Sequence, residues 1–331
     1  NIEKNNNDLR TTAISEGSKK FFEKLKIWKK IAKFAEPIKR IGVIDRNKIR
    51  KINFKNSNKN ENLGYIVRNL ILKKIFIKEL KLKKNIKLVV NEKIKNIFYL
   101  NDFILAKGNN TNFKSNLLVA ADGKNSFIRK INNTPTYNKK YFHKALVINF
   151  NHTKNHNGTA YELFYKNGPL AILPMLKNKK DFFTSSVIWS NESDFVNSLA
   201  NIKKEIITSV LEEKILDYVG EIINIVDIQV FDLSAHINIR FYDERIIYLG
   251  DAAHSLHPIA GQGWNLGIRD IKNLLNIVEK NISLGMDLGN KNLCKDFHDS
   301  AFNDAFMLYQ VTDKLNSIFM NESFLINSIR K

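Results

Sequence analysis

Hydrophobic positions change period several times along this chain. Phe21, Phe22, Leu25, Trp28, Ile31 and Phe34 recur at helical spacing, and Pro37 stops the pattern. Residues 38–54 alternate and are rich in β-branched side chains, which predicts one or two strands before a polar loop at 56–62. The stretch 63–82 reads as one lysine-faced amphipathic helix. Residues 86–106 read as two short strands, the first carried by the alternation of Ile86, Leu88 and Val90. A turn at 108–112 and an apolar strand at 117–121 follow. From Tyr141 to Val230 the pattern is mainly strand, at 145–150, 160–165, 171–174, 183–189 and 226–233, interrupted by a polar helix at 192–216. The short apolar run 246–249 predicts a buried parallel strand, and 268–278 a helix. Residues 291–331 read as helices carrying Phe297, Phe302, Phe306, Phe319 and Phe324. The order predicts a discontinuous α/β domain at 1–135 and 236–285, a sheet-rich domain inserted at 136–235, and C-terminal helices at 286–331.

Composition narrows this only a little. The 331 residues are 44% hydrophobic and 26% charged, ordinary for a globular protein, and no apolar run approaches the roughly 20 residues of a spanning helix. One cysteine, Cys294, excludes an internal disulfide and fits a reducing compartment. The net charge of +20 invites a nucleic-acid or anionic-membrane partner. The lysines are spread over many segments, however, with no nucleic-acid-binding motif among them. The expectation is no nucleic acid, with peripheral contact at an anionic membrane left open.

Two stretches carry chemistry. In the first, Ile246–Leu249 ends in Gly250-Asp251. A loop with His254, His257, Pro258, Gly261, Gln262 and Gly263 follows, and Asn265, Gly267 and Asp270 open a helix. Strand, glycine-rich loop and helix N-terminus together present backbone N–H groups to a polar ligand, and a carboxylate at the strand end suits ribose or ribityl hydroxyls. The two histidines have no cysteine or carboxylate cluster beside them, so no metal site is expected. In the second stretch, the apolar run 117–121 ends in Asp122-Gly123, with Ser126 and Arg129 at helical spacing after it. Arg129 reads either as an anchor of this loop or as a local carboxylate clamp.

These stretches resemble the two downstream flavin motifs of the class A flavoprotein monooxygenases. The resemblance implies an α/β, FAD-binding Rossmann-like (GR2-type) domain with an inserted, mainly β substrate domain. It places Asp251 at the ribityl chain, Asp122 near the pyrophosphate, and Pro258, Gly261, Gln262, Gly263 and Asn265 around the flavin ring. The family's first fingerprint, Gly-x-Gly-x-x-Gly, is absent. Ile2-Glu3-Lys4 resembles the acidic end of the strand that follows it, and Asp8-Leu9-Arg10-Thr11-Thr12-Ala13 resembles the next segment. The expectation is an N-terminally truncated domain lacking roughly 30 residues of a strand–turn–helix unit, with Glu3 as a ribose ligand, Arg10 in the cofactor site and weak FAD binding.

Further matches lie at Leu63-Gly64-Tyr65, Gly158-Thr159-Ala160-Tyr161-Glu162, Gly168-Pro169-Leu170 and Thr312-Asp313-Lys314-Leu315. They are similar to the ubiquinone-biosynthesis hydroxylases of the UbiH/UbiF/Coq6 group. Trp264 stands where that group has Phe, and Leu70 where it often has Arg. The resemblance implies hydroxylation of a polyprenylated phenol through a flavin C4a-hydroperoxide. O2 would be co-substrate, with NAD(P)H or a ferredoxin as electron donor. No side chain is expected to be catalytic. Tyr161, Leu163, Leu173 and Pro174 are candidates to line the ring pocket, or are core. A quinone-biosynthesis complex and a cytoplasmic position peripheral to the inner membrane follow from the same likeness. The alternatives are a scaffold subunit with little or no flavin and another flavin-dependent oxidoreductase of the fold, such as a halogenase or a prenyl reductase.

Overall fold

The computed structural model describes residues 8–46, 50–58, 61–177, 181–257 and 261–320. β1 (Thr11–Ser15) runs straight into α1 (Glu16–Lys24), whose first turn is capped by the Ser15 hydroxyl accepting from the Ser18 N–H. Lys26, at φ 60°, breaks the helical run and α2 (Trp28–Ala32) restarts it, so the predicted helix is two. β2 (Glu36–Ile38), β3 (Arg40–Asp45), β4 (Arg50–Lys55), β5 (Gly64–Arg68) and α3 (Asn69–Lys81) follow. The single helix expected over 63–82 is therefore wrong at its start. β5 lies between β1 and β2 in an antiparallel sheet, and pairing with strands distant in sequence overrides its local helical pattern.

β6 (Asn96–Leu100), β7 (Phe103–Lys107) and β8 (Asn112–Ser115) form an antiparallel meander. The strand expected around Ile86, Leu88 and Val90 does not form: the segment has no ladder partner, and these side chains are 42%, 37% and 51% exposed. β9 (Leu118–Ala120) is followed by α4 (Phe127–Ile131).

Residues 136–238 are built on long strands. They are β10 (Thr136–His152), β11 (Thr159–Tyr165), β12 (Gly168–Met175) and β13 (Phe183–Glu192), and, after α5 (Ser193–Ala200) and α6 (Lys204–Val219), β14 (Ile222–Asn238). The one helix expected at 192–216 is thus two, and neither is polar throughout. The chain then returns through β15 (Tyr242–Asp243), β16 (Ile246–Tyr248), a 3-10 turn (Gly250–Ala252) and β17 (His254–Ser255). It ends in α7 (Gln262–Ser283) and α8 (Lys291–Met320). α7 starts six residues before the predicted helix.

An eight-stranded sheet runs in the order β17-β14-β10-β13-β12-β11-β3-β4, so β3 and β4 join it from outside the 136–235 segment. Its two faces differ. On one, Leu146, Ile148, Phe150, Leu163, Leu170 and Ile172 pack against Val196 and Leu199 of α5 and Ile207, Leu211, Ile215 and Val219 of α6. The other face is turned to the N-terminal segment. The Leu9 N–H donates to Gln229 Oε1 at 3.4 Å and Asn149 Nδ2 donates to the Leu9 carbonyl at 3.1 Å.

β16 pairs in parallel with β9, as its apolar run predicts, and both lie in a core with Phe241, Leu266, Leu293 and Phe297. This strand pair carries the two motif turns side by side.

Candidate active site

At the end of β16, Gly250 takes φ 57° and turns the chain into the 3-10 turn that holds Asp251. α7 lies against that turn at ordinary contact distance: a Cβ at Gly267 would sit 3.5 Å from the Gly250 Cα. Asp270, one helical turn further on, fixes the approach. Its Oδ2 accepts from the Gly250 N–H at 3.2 Å and lies 2.6 Å from His254 Nε2, with both side chains 1% exposed. The histidine is thus part of the framework of the turn.

Asp251 itself is exposed, and its carboxylate makes no hydrogen bond or ion pair with a described residue. The surrounding protein displaces enough water to raise its carboxyl above the ordinary aspartate range, against the opposing pull of His254, Arg10 and Lys124. An acceptor so placed suits a ligand's hydroxyl groups.

At the end of β9, Asp122 Oδ2 accepts from the backbone N–H of Phe127 at 2.7 Å and of Ile128 at 3.2 Å, and Ser126 caps the same short helix. Gly123, at φ 85°, has open space where a Cβ would be. Arg129 then ties the two turns together. Its Nη1 donates to the Ala252 carbonyl at 2.9 Å and faces His236 Nε2 at 3.0 Å, and its Nη2 donates to the Lys124 carbonyl at 2.6 Å. The carboxylate clamp considered for Arg129 is not what forms; its direct partners are two carbonyls and a histidine. Burial and the cation beside it hold His236 down at about 3, so the ring stays neutral and can accept from Arg129. Nothing in the sequence singled out His236, which pairs with Ser255 across the β14–β17 ladder.

The first turn of α7 completes the set. Gly261, at φ 58°, is its N-cap, and no side-chain hydrogen bond caps the helix. A Cβ at Gly263 would meet nothing within 4 Å. Asn265 points inward instead. It is 2% exposed and accepts from the Ser15 N–H at 2.9 Å and the Ser18 hydroxyl at 2.8 Å, while its Nδ2 donates to the Ala13 carbonyl at 2.7 Å. Its side chain positions α7 against β1 and is not offered to a ligand. Arg10 is held by Asp8 at 2.8 Å and 2.9 Å and lies over the Phe231 ring, 5.2 Å from its centre. Glu3 and Pro258 lie outside the described residues.

A cavity of about 630 Å³ opens beside Arg10. Its lining mixes charged and polar side chains, Asp8, Arg10, Asn69, Lys73 and Gln229, with Leu70, Phe76 and Ile77 of α3, Phe231 of β14 and Trp264 of α7. Of the four ring-pocket candidates, Tyr161, Leu163 and Pro174 are on the wrong face. Leu163 is in the core against α5 and α6, Tyr161 packs on that core, and Pro174 pairs with Ser185, whose hydroxyl faces His152. Leu173 alone is on the face turned to the N-terminal segment, packed against Ile38, Ile66, Ala160 and Met175.

The donor set therefore consists of two glycine-bearing turns bridged by an arginine, an exposed aspartate and an uncapped helix start. It suits a ligand with polyol and ring-imide character. A family model described as FAD binding domain matches residues 103–283, which includes both turns and the start of α7. The chain belongs to the FAD-binding domain family. Among similar proteins is the ubiquinone hydroxylase UbiL of Rhodospirillum rubrum, 27% identical over 316 residues that cover 95% of this chain and 72% of that protein. The mitochondrial ubiquinone biosynthesis monooxygenase COQ6 of Dictyostelium discoideum is 24% identical over 383 residues, covering 98% and 76%. The crystal structure of PqsL, a probable FAD-dependent monooxygenase from Pseudomonas aeruginosa, superposes with a TM-score of 0.80 at 14% identity, covering 95% of this chain and 88% of that one. The fold is the α/β FAD-binding monooxygenase fold, and the chain is an FAD-dependent oxidoreductase of the monooxygenase class. The residues present fit the cofactor: Asp251 would hold ribityl hydroxyls, and the backbone at 261–264 would face the flavin ring.

Proposed function

We propose that this flavoprotein hydroxylates the aromatic ring of a polyprenylated phenol in ubiquinone biosynthesis. The relatives named above as ubiquinone hydroxylases support the substrate class. The observation that carries the reading is the cavity at the start of α7, where Trp264 shares the lining with Phe76 and Phe231. Bound FAD, reduced by NAD(P)H or a ferredoxin, supplies the activated oxygen from O2. The protein's share is positional. Asp251 and the turn at Gly123 orient the cofactor, and Arg129 keeps the turns in register. We assign the cofactor site to Asp251, Gly261, Gln262, Gly263, Asp122 and Arg10, with Asn265 as the residue that positions it. We divide the chain into a discontinuous FAD-binding part at 1–135 and 236–285, from which residues 40–55 contribute to the substrate sheet at 136–235, and helices at 286–331.

Reconstitution with FAD followed by turnover of a short-chain prenylphenol tests the reading. The expected product carries one added ring hydroxyl, coupled to reductant use. A flavin-loaded protein that reduces a prenyl double bond, or that releases only peroxide under every donor, overturns it.

The tail of such a substrate partitions into a bilayer. No helix among the described residues is long and apolar enough to cross one. A net charge of +20 favours peripheral contact with an anionic surface, and the likeness to the ubiquinone-biosynthesis group supports a cytoplasmic position beside the inner membrane. Sedimentation with anionic vesicles at low salt, lost at high salt, is the expected result; absence of binding at low salt removes this part.

A further inference from the structure

The face of the large sheet turned to the N-terminal segment is partly open in its middle. Paired residues on neighbouring strands lie on the same face, and one such row crosses six strands. It runs from Gln229 through Val147, Ile188, Ala171 and Glu162 to Val43. Gln229, at one end, also lines the 630 Å³ cavity. Ile188, Ala171, Glu162 and Val43 all retain some exposure, although they sit inside an eight-stranded sheet. On the opposite face Leu163, Leu170 and Val187 are fully covered. The row is a small apolar platform with a carboxylic acid at its far side.

Glu162 is unusual there. It has no hydrogen-bond or ion-pair partner among the described residues, and along its own strand its same-face neighbours are Ala160 and Phe164. Burial alone pushes its carboxyl up to about 7, with no cation near enough to offset it. Asn149 and Ser186, one row along, also have side-chain oxygens without partners, but both residues are 0% exposed and out of reach of any ligand. Of the three, Glu162 alone keeps some exposure as a residue.

The platform also adjoins the cofactor turn. A Cβ at Gly261 would lie 3.4 Å from the Ala13 Cβ, and Ala13 packs on the cluster that contains Ala160 and Leu173. Ala160 is two residues before Glu162, and Leu173 is two after Ala171, its cross-strand partner. A flat ring lying on Ile188 and Ala171 would thus have the turn at Gly261 near one edge and the Glu162 carboxyl near another.

Building on the function proposed above, we infer that Glu162 receives the ring hydroxyl of the phenol and so fixes which ring carbon faces the flavin. The acid accepts the phenol O–H as a carboxylate and can also donate when protonated, so the contact survives on either side of neutral pH. Glu162 is a substrate-orienting residue under this inference.

The test compares binding of 2-octylphenol and its methyl ether, 2-octylanisole, to the flavin-loaded protein, followed by tryptophan fluorescence. The wild type is expected to prefer the phenol by about tenfold or more, the size of a hydrogen bond to a charged group. Glu162→Leu is expected to bind both equally while keeping its flavin content and melting temperature, since the change removes an unpartnered acid from a desolvated position. Glu162→Gln, whose amide oxygen still accepts, is expected to recover part of the preference. Unchanged discrimination in Glu162→Leu overturns this inference and leaves the functional reading standing. A wild type that binds neither probe removes both.

Discussion

The two glycines where the cofactor-facing turn meets its helix differ in what they require. Gly250 needs its left-handed φ of 57°, so Gly250→Ala should cost about 1–2 kcal/mol through backbone strain even though the added Cβ has room. Gly267 sits in the interior of α7 with ordinary contact distance to spare, so Gly267→Ala should stabilise by about 0.5–1 kcal/mol. Opposite signs in urea midpoints would check the pair; equal losses would mean the turn and helix are packed more tightly than the distances imply. Asn265→Ala removes four hydrogen bonds from a sealed position, among them those to the Ser15 N–H and the Ala13 carbonyl. A loss of about 2–4 kcal/mol is expected, with a lower flavin-to-protein ratio because α7 is no longer held to β1. A normal ratio at wild-type stability would refute the positioning role. At this scale the sequence was legible for residues whose type is demanded by backbone geometry, such as Gly250 and Gly261. It was misleading for Asn265, where the motif position was visible but the direction of the side chain was not.

Elements show where local pattern stops being informative. The run Leu63-Gly64-Tyr65-Ile66-Val67 looks continuous with the helix after it, and only the ladders to β1 and β2 separate them. Likewise Tyr161, Leu163, Leu173 and Pro174 all sit in strands whose two faces are apolar, so alternation identifies the strand but not which face meets the site. The helices α5 and α6 settle that, and they lie far from these residues in sequence. α6 presents Ile207, Leu211, Ile215 and Val219 at every fourth residue to the sheet. Leu211 is 0% exposed, so Leu211→Ala should cost about 2–5 kcal/mol by chemical denaturation. Flavin affinity should be unchanged, because this face points away from the cofactor turns. A parallel loss of flavin affinity would show that the sheet transmits strain between its faces.

For the molecule as a whole, acid stability follows from three sealed histidines. His152, His236 and His257 are 0%, 3% and 2% exposed, and burial holds them down at about 4, 3 and 4. The unfolded chain protonates them near 6.5. Their contribution is therefore complete above that pH and is lost as pH drops toward 4, since only the unfolded state takes up the protons; Glu162, raised to about 7, acts in the opposite sense over the same range and is outweighed by the three rings. Melting temperatures measured from pH 7.5 to 4.5 should decline below about 6.5, and less steeply in His152→Gln. A flat profile would mean that the rings are already charged in the native state.

The flank of the parallel strand pair, open among the described residues, has a consequence for handling the protein. β9 has β16 on one side and no described strand on the other, its Val119 is 44% exposed, and the unpaired apolar stretch with Ile86, Leu88 and Val90 is exposed as well. Ladder groups without a strand partner among the described residues, beside greasy side chains, are a template for the same strand of another molecule. Light scattering should then rise with protein concentration faster than linearly, and Val119→Lys should suppress that rise without altering the absorbance of bound flavin. The limit on concentrating this protein would then be set by one three-residue strand and not by its large positive charge.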